Sequence, residues 1–333
     1  MSVKVAFVGF RHGHVQAMYH TAQRLDYVDI VACADEGGPA AHGSSLPALG
    51  VELPHPSLDD IIANVDFDVL ACVDYYANRG PACIKALEAG KHVVTDKPLC
   101  ITLDELRTIA RLSREKNLQV GIDLTMRYGG DYATLAGIVR GGGLGELSSC
   151  VVTGLHGLSY GSRPMWYFEP GKHGGTINDL MIHGLDLLRW ASGLEYSKVI
   201  FGEARNRRAP GGFQDSAQMA LEFTNQAKYL GDCSYMAPEQ CPEHWRFFLW
   251  GTEGSVSLDG HGLKWYRAGE GEQEVVACNQ PPLTDPFEDF VSALGRGTER
   301  WMSSEECFRS QAAALATQLA ADTGERDMPV PVV

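Results

Sequence analysis

A chain of 333 residues, 44% hydrophobic and 21% charged, can bury one large core or two ordinary ones, which excludes an extended disordered chain. Its 42 acidic residues against 28 lysines and arginines leave a formal charge of −14, so neither a basic surface for nucleic acid nor non-specific binding to phosphate backbones is expected. No apolar run approaches the roughly 18–20 residues of a membrane helix. The nine cysteines include no CxxC pair, which points to a reducing cytoplasm and away from a structural zinc site.

In chain order, Val3–Val8 is a short β-branched run ending at Gly9, read as a first strand and not as a signal peptide. A helix is predicted from about residue 14 to 25, then a strand over residues 28–34 that ends in Asp35-Glu36. A Gly/Pro/Ser-rich stretch from 37 to 54 is irregular, and Ser57 opens a short helix. Strands are predicted at 68–73, 92–95 and 119–122. Between them lie a helix over 81–89 that stops at Gly90 and one opened by a Thr102/Glu105 capping box. This alternation implies a parallel sheet covered on both faces. After about residue 125 the pattern changes. Helices near 131–140 and 177–192 give way to strand-like runs at 198–204, 217–223, 228–235, 246–250, 255–258 and 263–266, then to helices near 286–295 and 304–322. That is the pattern of an α+β unit with a mostly antiparallel sheet, so the expected domains are 1–124 and 125–333. Cys33, Cys72 and Cys150 lie in strand-like surroundings and read as small core residues.

Four groups of residues could carry chemistry. The turn Gly9-Phe10-Arg11-His12-Gly13-His14 follows the first strand, where a dinucleotide pyrophosphate meets a helix N-terminus. Of the G-x-G-x-x-G positions only Gly9 is a glycine; Arg11 and His14 hold the others, so an ordinary strand-to-helix turn is an equal reading. Asp35 lies 26 residues after Gly9, about where an acid bonds a ribose hydroxyl, although a solvated strand-end carboxylate fits too. With Glu36 next to it and no Lys or Arg before Arg79, NAD is favoured over NADP. Lys97, in Thr95-Asp96-Lys97-Pro98, ends a strand where side chains face the ligand crevice, and could stabilise an oxyanion, although taken alone a surface lysine is the commoner reading. Asp179, His183 and Asp186 are spaced i, i+4 and i+7 along a helix, which predicts an imidazole between carboxylates with its basicity raised for acid–base work, ahead of the alternative of a solvated charged face because Ile177, Leu180, Met181, Leu185 and Leu188 crowd around them. As metal ligands this His and its two Asp are a thin set, and no metal is expected. Tyr75, Tyr76, Arg79, Arg127, Tyr128, Trp166, Tyr167 and His173 could wall a pocket for a polyhydroxylated ligand, although aromatics at such places more often pack.

Read together, these motifs resemble the Gfo/Idh/MocA oxidoreductases, the family of glucose–fructose oxidoreductase and inositol dehydrogenase. Ala86-Leu87-Glu88-Ala89-Gly90-Lys91-His92 through Asp96-Lys97-Pro98 is similar to the family's A-L-E-A-G-K-H-V-x-x-E-K-P, with Asp96 in place of Glu. Gly174-Gly175 through Asp186 is similar to its G-G-x-x-x-D-x-x-x-H-x-x-D, and Gly251-Thr252-Glu253-Gly254-Ser255 to a turn of its second domain. Asp74-Tyr75-Tyr76 stands where the family usually has T-P-N. The resemblance implies an N-terminal Rossmann domain and a C-terminal open-sheet domain through which the chain forms a homodimer or homotetramer. It also implies a nicotinamide at the domain junction, held by Gly9, Phe10, Arg11, His12, Asp35, Asp74, Tyr75, Asp96 and Lys97. Lys97 would polarise the substrate oxygen, His183 would be the acid/base and Asp179 would orient the site. Arg127, Tyr128, Trp166, Asp179 and His183 would contact the substrate, and Asp186 would support its helix. The expected activity is hydride transfer between NAD and a secondary alcohol or ketone of a sugar, cyclitol or polyol. A redox-neutral lyase or glycosidase, or a non-catalytic sensor of a dinucleotide or sugar, are the competing readings.

Overall fold

A computed structural model describes residues 2–35, 49–52, 54–238, 240–241, 244–277, 283 and 285–333. Glu36 and most of the Gly/Pro/Ser-rich stretch lie outside the described residues. The first sheet consists of β1 (Val3–Val8), β2 (Val28–Ala34), β3 (Val69–Cys72), β4 (His92–Asp96) and β5 (Val120–Asp123). All its pairs are parallel and their order is β2-β1-β3-β4-β5. Because side chains alternate across a strand, β1 feeds two cores. Val3, Val5 and Phe7 pack with Val15, Met18 and Ala22 of α1 (Val15–Arg24). Ala6 and Val8 face the opposite core, which also holds Ile61 of α2 (Leu58–Asn64), Ala86 and Leu87 of α3 (Tyr76–Glu88), and Leu106 and Ile109 of α4 (Leu103–Lys116).

The Thr102/Glu105 capping box forms as predicted: Glu105 N donates to Thr102 Oγ1 at 3.2 Å and Thr102 N to Glu105 Oε2 at 3.1 Å. One helix begins earlier than the sequence predicts. Pro81 suits a first helical turn, but α3 already starts at Tyr76, just after Asp74, whose side chain accepts from Tyr75 N at 2.7 Å and from Asn78 Nδ2 at 2.8 Å.

The second sheet has nine described strands in the order β13-β12-β11-β10-β6-β9-β8-β7-β14. They are β6 (Leu147–Leu155), β7 (Tyr196–Arg205), β8 (Ser216–Phe223), β9 (Lys228–Ser234), β10 (Trp245–Gly251), β11 (Gly254–Asp259), β12 (Gly262–Arg267), β13 (Gly271–Gln273) and β14 (Met328–Pro329). All neighbours are antiparallel except β6 and β9. The central strand β6 is absent from the runs read off the sequence, because its polar Ser148, Ser149 and Thr153 break the apolar signal. One face of the sheet is covered by α5 (Gly130–Arg140), α6 (Ile182–Ser192) and α8 (Ser304–Thr323).

The helix α7 (Pro286–Arg296) returns to the first sheet, although it follows the second in sequence. Phe287, Phe290 and Val291 join the β1/α1 core, and Tyr27 Oη lies 2.7 Å from Ser292 Oγ. A Cβ on Gly121 would meet the Phe290 ring at 2.6 Å, so a glycine in β5 makes room for it. Phe290→Ala should therefore cost about 3–5 kcal/mol of stability in urea unfolding; a loss under about 1 kcal/mol would show that α7 is not part of that core.

Candidate active site

In a 2-1-3-4-5 sheet the chain reverses direction between β1 and β3, and the ligand crevice opens beyond the C-terminal ends of these strands. Gly9 sits there at φ +76°, and a Cβ would fall 2.4 Å from the Asp74 Cβ, so both the turn and the close approach need glycine. Arg11 reaches across this crevice. Its Nε and Nη2 donate to Asp35 Oδ1 at 3.2 and 3.1 Å, and Nε lies 3.4 Å from Asp74 Oδ1. The Arg11 guanidinium lies 5.4 Å from the Tyr75 ring centre. The structure thus brings Gly9, Arg11, Asp35, Asp74 and Tyr75 together. Phe10 is instead fully buried in the β1/α1 core, which leaves only its backbone for a ligand.

At the end of β4, Arg79 is fully buried and donates to the carbonyls of Asp74, Asp96, Lys97 and Pro98 and to Asp96 Oδ2. It fixes the segment that carries Lys97, whose peptide bond to Pro98 is cis. Lys97 Nζ donates to Asp179 Oδ1 at 2.6 Å and to the Asp179 carbonyl at 3.0 Å. Asp179 also accepts from Tyr76 Oη at 2.7 Å and lies 3.1 Å from His173 Nε2. Burial alone would push the Asp179 carboxyl up, but Lys97 and His173 outweigh it and hold the group well below the usual range.

Asp179 lies in a π-helical turn, Ile177–Met181, directly before α6. It pairs with groups from other elements, and His183 is not held between carboxylates. Burial, then the charges of Lys97 and His14, pull the His183 pKa well below its ordinary value, contrary to the raised basicity expected from spacing. Its ring lines the cleft as a neutral imidazole, with Nδ1 buried and unpartnered among the described residues. Asp186 points the other way and holds Arg127 through two bonds of 2.6 and 2.7 Å.

The cleft between the two sheets has a volume of about 510 Å³ and is lined by Lys97, Asp179 and His183 together with His156, Arg163 and His244. The last three come from the end of β6, the following loop and the segment before β10, and no motif links them in the sequence. Arg127, Tyr128 and Trp166, expected to contact substrate, do not line it. Arg127 is buried against Asp186 and Glu306, and Tyr128 Oη donates to Asp289 at 2.8 Å. Trp166 stacks on Tyr167 and donates from Nε1 to the Arg11 carbonyl at 3.0 Å, which braces the glycine turn from the second unit.

Residues 3–124 match the NAD-binding Rossmann fold of the GFO/IDH/MocA oxidoreductase family, and residues 132–257 match its C-terminal domain. The chain belongs to this family. A functionally uncharacterised oxidoreductase of Schizosaccharomyces pombe is 28% identical over 70% of this chain and 64% of its own length. The 1,5-anhydro-D-fructose reductase of Ensifer adhaerens is 22% identical over 81% of this chain and 82% of that protein. The WlbA dehydrogenase from Bordetella pertussis, in complex with NADH and UDP-GlcNAcA, superposes with a TM-score of 0.82 at 19% identity, covering 100% of this chain and 99% of that one. The residues present fit NAD: the cramped Gly9 turn leaves the backbone open, α1 has no side-chain cap over its first N–H groups, and Asp35 stands at the end of β2.

The site's histidines set a pH dependence of stability. Burial pulls His12 and His156 down to about 4 and also lowers His173 and His183, whereas burial and then the Asp96 charge raise Asp123 to about 7. Below pH 6.5 the unfolded histidines take up protons that the folded ones refuse, which destabilises the fold on acidification. Asp123 has the opposite sign between about 4 and 7, and His14, raised chiefly by the Asp96 charge, has it only above about 6.5, so on further acidification the lowered histidines prevail. The urea midpoint should therefore fall from about pH 6 to about pH 4.5, and less steeply in His156→Gln; a flat profile in the wild type would contradict the buried, neutral histidines.

Proposed function

We propose that the protein is an NAD-dependent dehydrogenase that interconverts a secondary alcohol and a ketone of a sugar, cyclitol or related polyol. The observation that carries this reading is the Lys97–Asp179 pair at the cleft, with a neutral imidazole, His183, beside it. When bound, NAD supplies the hydride acceptor. Lys97 places a positive charge where a substrate oxygen becomes an alkoxide, and Asp179 with Tyr76 fixes its direction. His183, the neutral imidazole that lines the cleft, is the group that takes the hydroxyl proton. Polar His156, Arg163 and His244 along the cleft suit a ligand with several hydroxyls, in keeping with the sugar chemistry in the names of the reductase and the dehydrogenase above. Asp35, at the end of β2 with Arg11 donating to one of its oxygens, stands where an acid accepts from the ribose hydroxyls of NAD.

Calorimetry with the cofactor-free protein should show NAD(H) bound more tightly than NADP(H), and a polyol screen should yield NADH. His183→Asn should keep NAD(H) affinity and lower kcat by about 10²–10⁴-fold. Full activity in that variant removes His183 from the chemistry, and polyol turnover with no net NADH favours the redox-neutral reading.

The outer face of the second sheet supports the expected homo-oligomer. Phe248, Val151 and Leu230 are register partners on that face, and Phe248 and Leu230 are 47% and 42% exposed. An apolar row across a sheet is a surface that association covers. Light scattering should find a dimer or tetramer that Phe248→Glu reduces to monomer; a monomeric wild type would refute this assignment.

A further inference from the structure

The two histidines that interrupt the glycine fingerprint converge on one carboxylate. His12 Nδ1 lies 2.7 Å from Asp96 Oδ2 and His14 Nδ1 lies 2.9 Å from Asp96 Oδ1. The ligand atoms of these three residues all fall within 4.8 Å of one another. We propose that His12, His14 and Asp96, beside the buried Asp123 of the adjoining strand, form a binding site for a divalent first-row transition-metal cation such as Zn²⁺ or Co²⁺.

Four features beyond the cluster itself support this assignment. Asp123 in β5 is the register partner of Asp96 in β4, which puts a second carboxylate on the adjoining strand. Its Oδ1 is buried and has no hydrogen-bond partner among the described residues, although Asp123 is only 7% exposed. A buried carboxylate oxygen without a partner is costly, and a cation satisfies it. The outer contacts also suit ligation. Tyr76 Oη stands 3.5 Å from His12 Nε2, where a ligating imidazole needs an acceptor for its second nitrogen. Arg79 and the Lys97 N–H anchor the Asp96 carboxylate, with bonds of 3.0 Å and 2.8 Å. Finally, His12, His14 and Asp123 all line the cleft, so an ion and its water ligands can enter. The Arg79 charge opposes a cation, and the Asp96 carboxylate that it anchors offsets it. Two imidazoles and carboxylate oxygens suit zinc, cobalt or iron(II) better than calcium or magnesium, which prefer oxygen alone.

The site's occupancy is read without turnover, so its failure is separable from failure of the dehydrogenase reading. The full chain, stripped with a chelator and shown to be folded by circular dichroism, is titrated with Zn²⁺ by calorimetry and with Co²⁺ by visible absorption. One ion per chain is expected, with cobalt bands of a histidine–carboxylate site. His14→Asn should weaken binding about tenfold or more while keeping the fold, because the His14 side chain is 48% exposed. Asp123→Asn should weaken it as well. The proposal is overturned if the folded wild type binds neither ion saturably. It is equally overturned if His14→Asn and Asp123→Asn bind as the wild type does, which would place the ion elsewhere.

Discussion

The buried contact between Lys97 and Asp179 ties the two halves of the molecule together. The lysine leaves the end of β4 in the first sheet, and the aspartate sits on the π turn that leads into α6 against the second. Tyr76 from α3 and His173 from the second unit complete the shell around the carboxylate. A buried ion pair of this kind adds little net stability, but removing one partner typically costs about 3–5 kcal/mol because the other charge is stranded. Such a pair therefore specifies one geometry: the sheets must dock so that both charges are satisfied, and that docking forms the cleft.

Arg79 does the corresponding work inside the first unit. Its guanidinium satisfies the carbonyls at the strand end that a turn would otherwise leave unpaired, and holds Asp96 in the same grip. The consequences run outward from there. A fixed Asp96 orients His12 and His14, His12 packs near Tyr76 and Tyr167, and Trp166 closes on the Arg11 carbonyl. Dinucleotide turn, lysine segment and aromatic wall are thus one connected polar network, in which each member sets the field felt by the next.

Local signals were legible because they depend on nearest neighbours. The β1 run, the capping box at Thr102, the break at Gly90 and the alternation of strands with helices each follow from residues a few positions apart. Lys97 and Asp179 were legible for a different reason, since short motifs carried them. Arg127 and Tyr128 were misread because a charged or phenolic group near a domain junction looks available in sequence, whereas Asp186, Glu306 and Asp289 claim them from up to 179 residues away. His156, Arg163 and His244 carried no signal, since their meeting depends on how β6 and β10 pair.

The sequence by itself determined the fold class and the oxidoreductase family, because strand and helix periodicities and motif spacings are written in short windows. Only the tertiary structure decided the protonation states and the partners. The i, i+4 spacing of Asp179 and His183 promised a coupled pair, but the π turn and the approach of Lys97 gave the carboxylate to the lysine and left the imidazole neutral. A pKa depends on burial and on charges brought from distant strands, and spacing along a single helix contains neither.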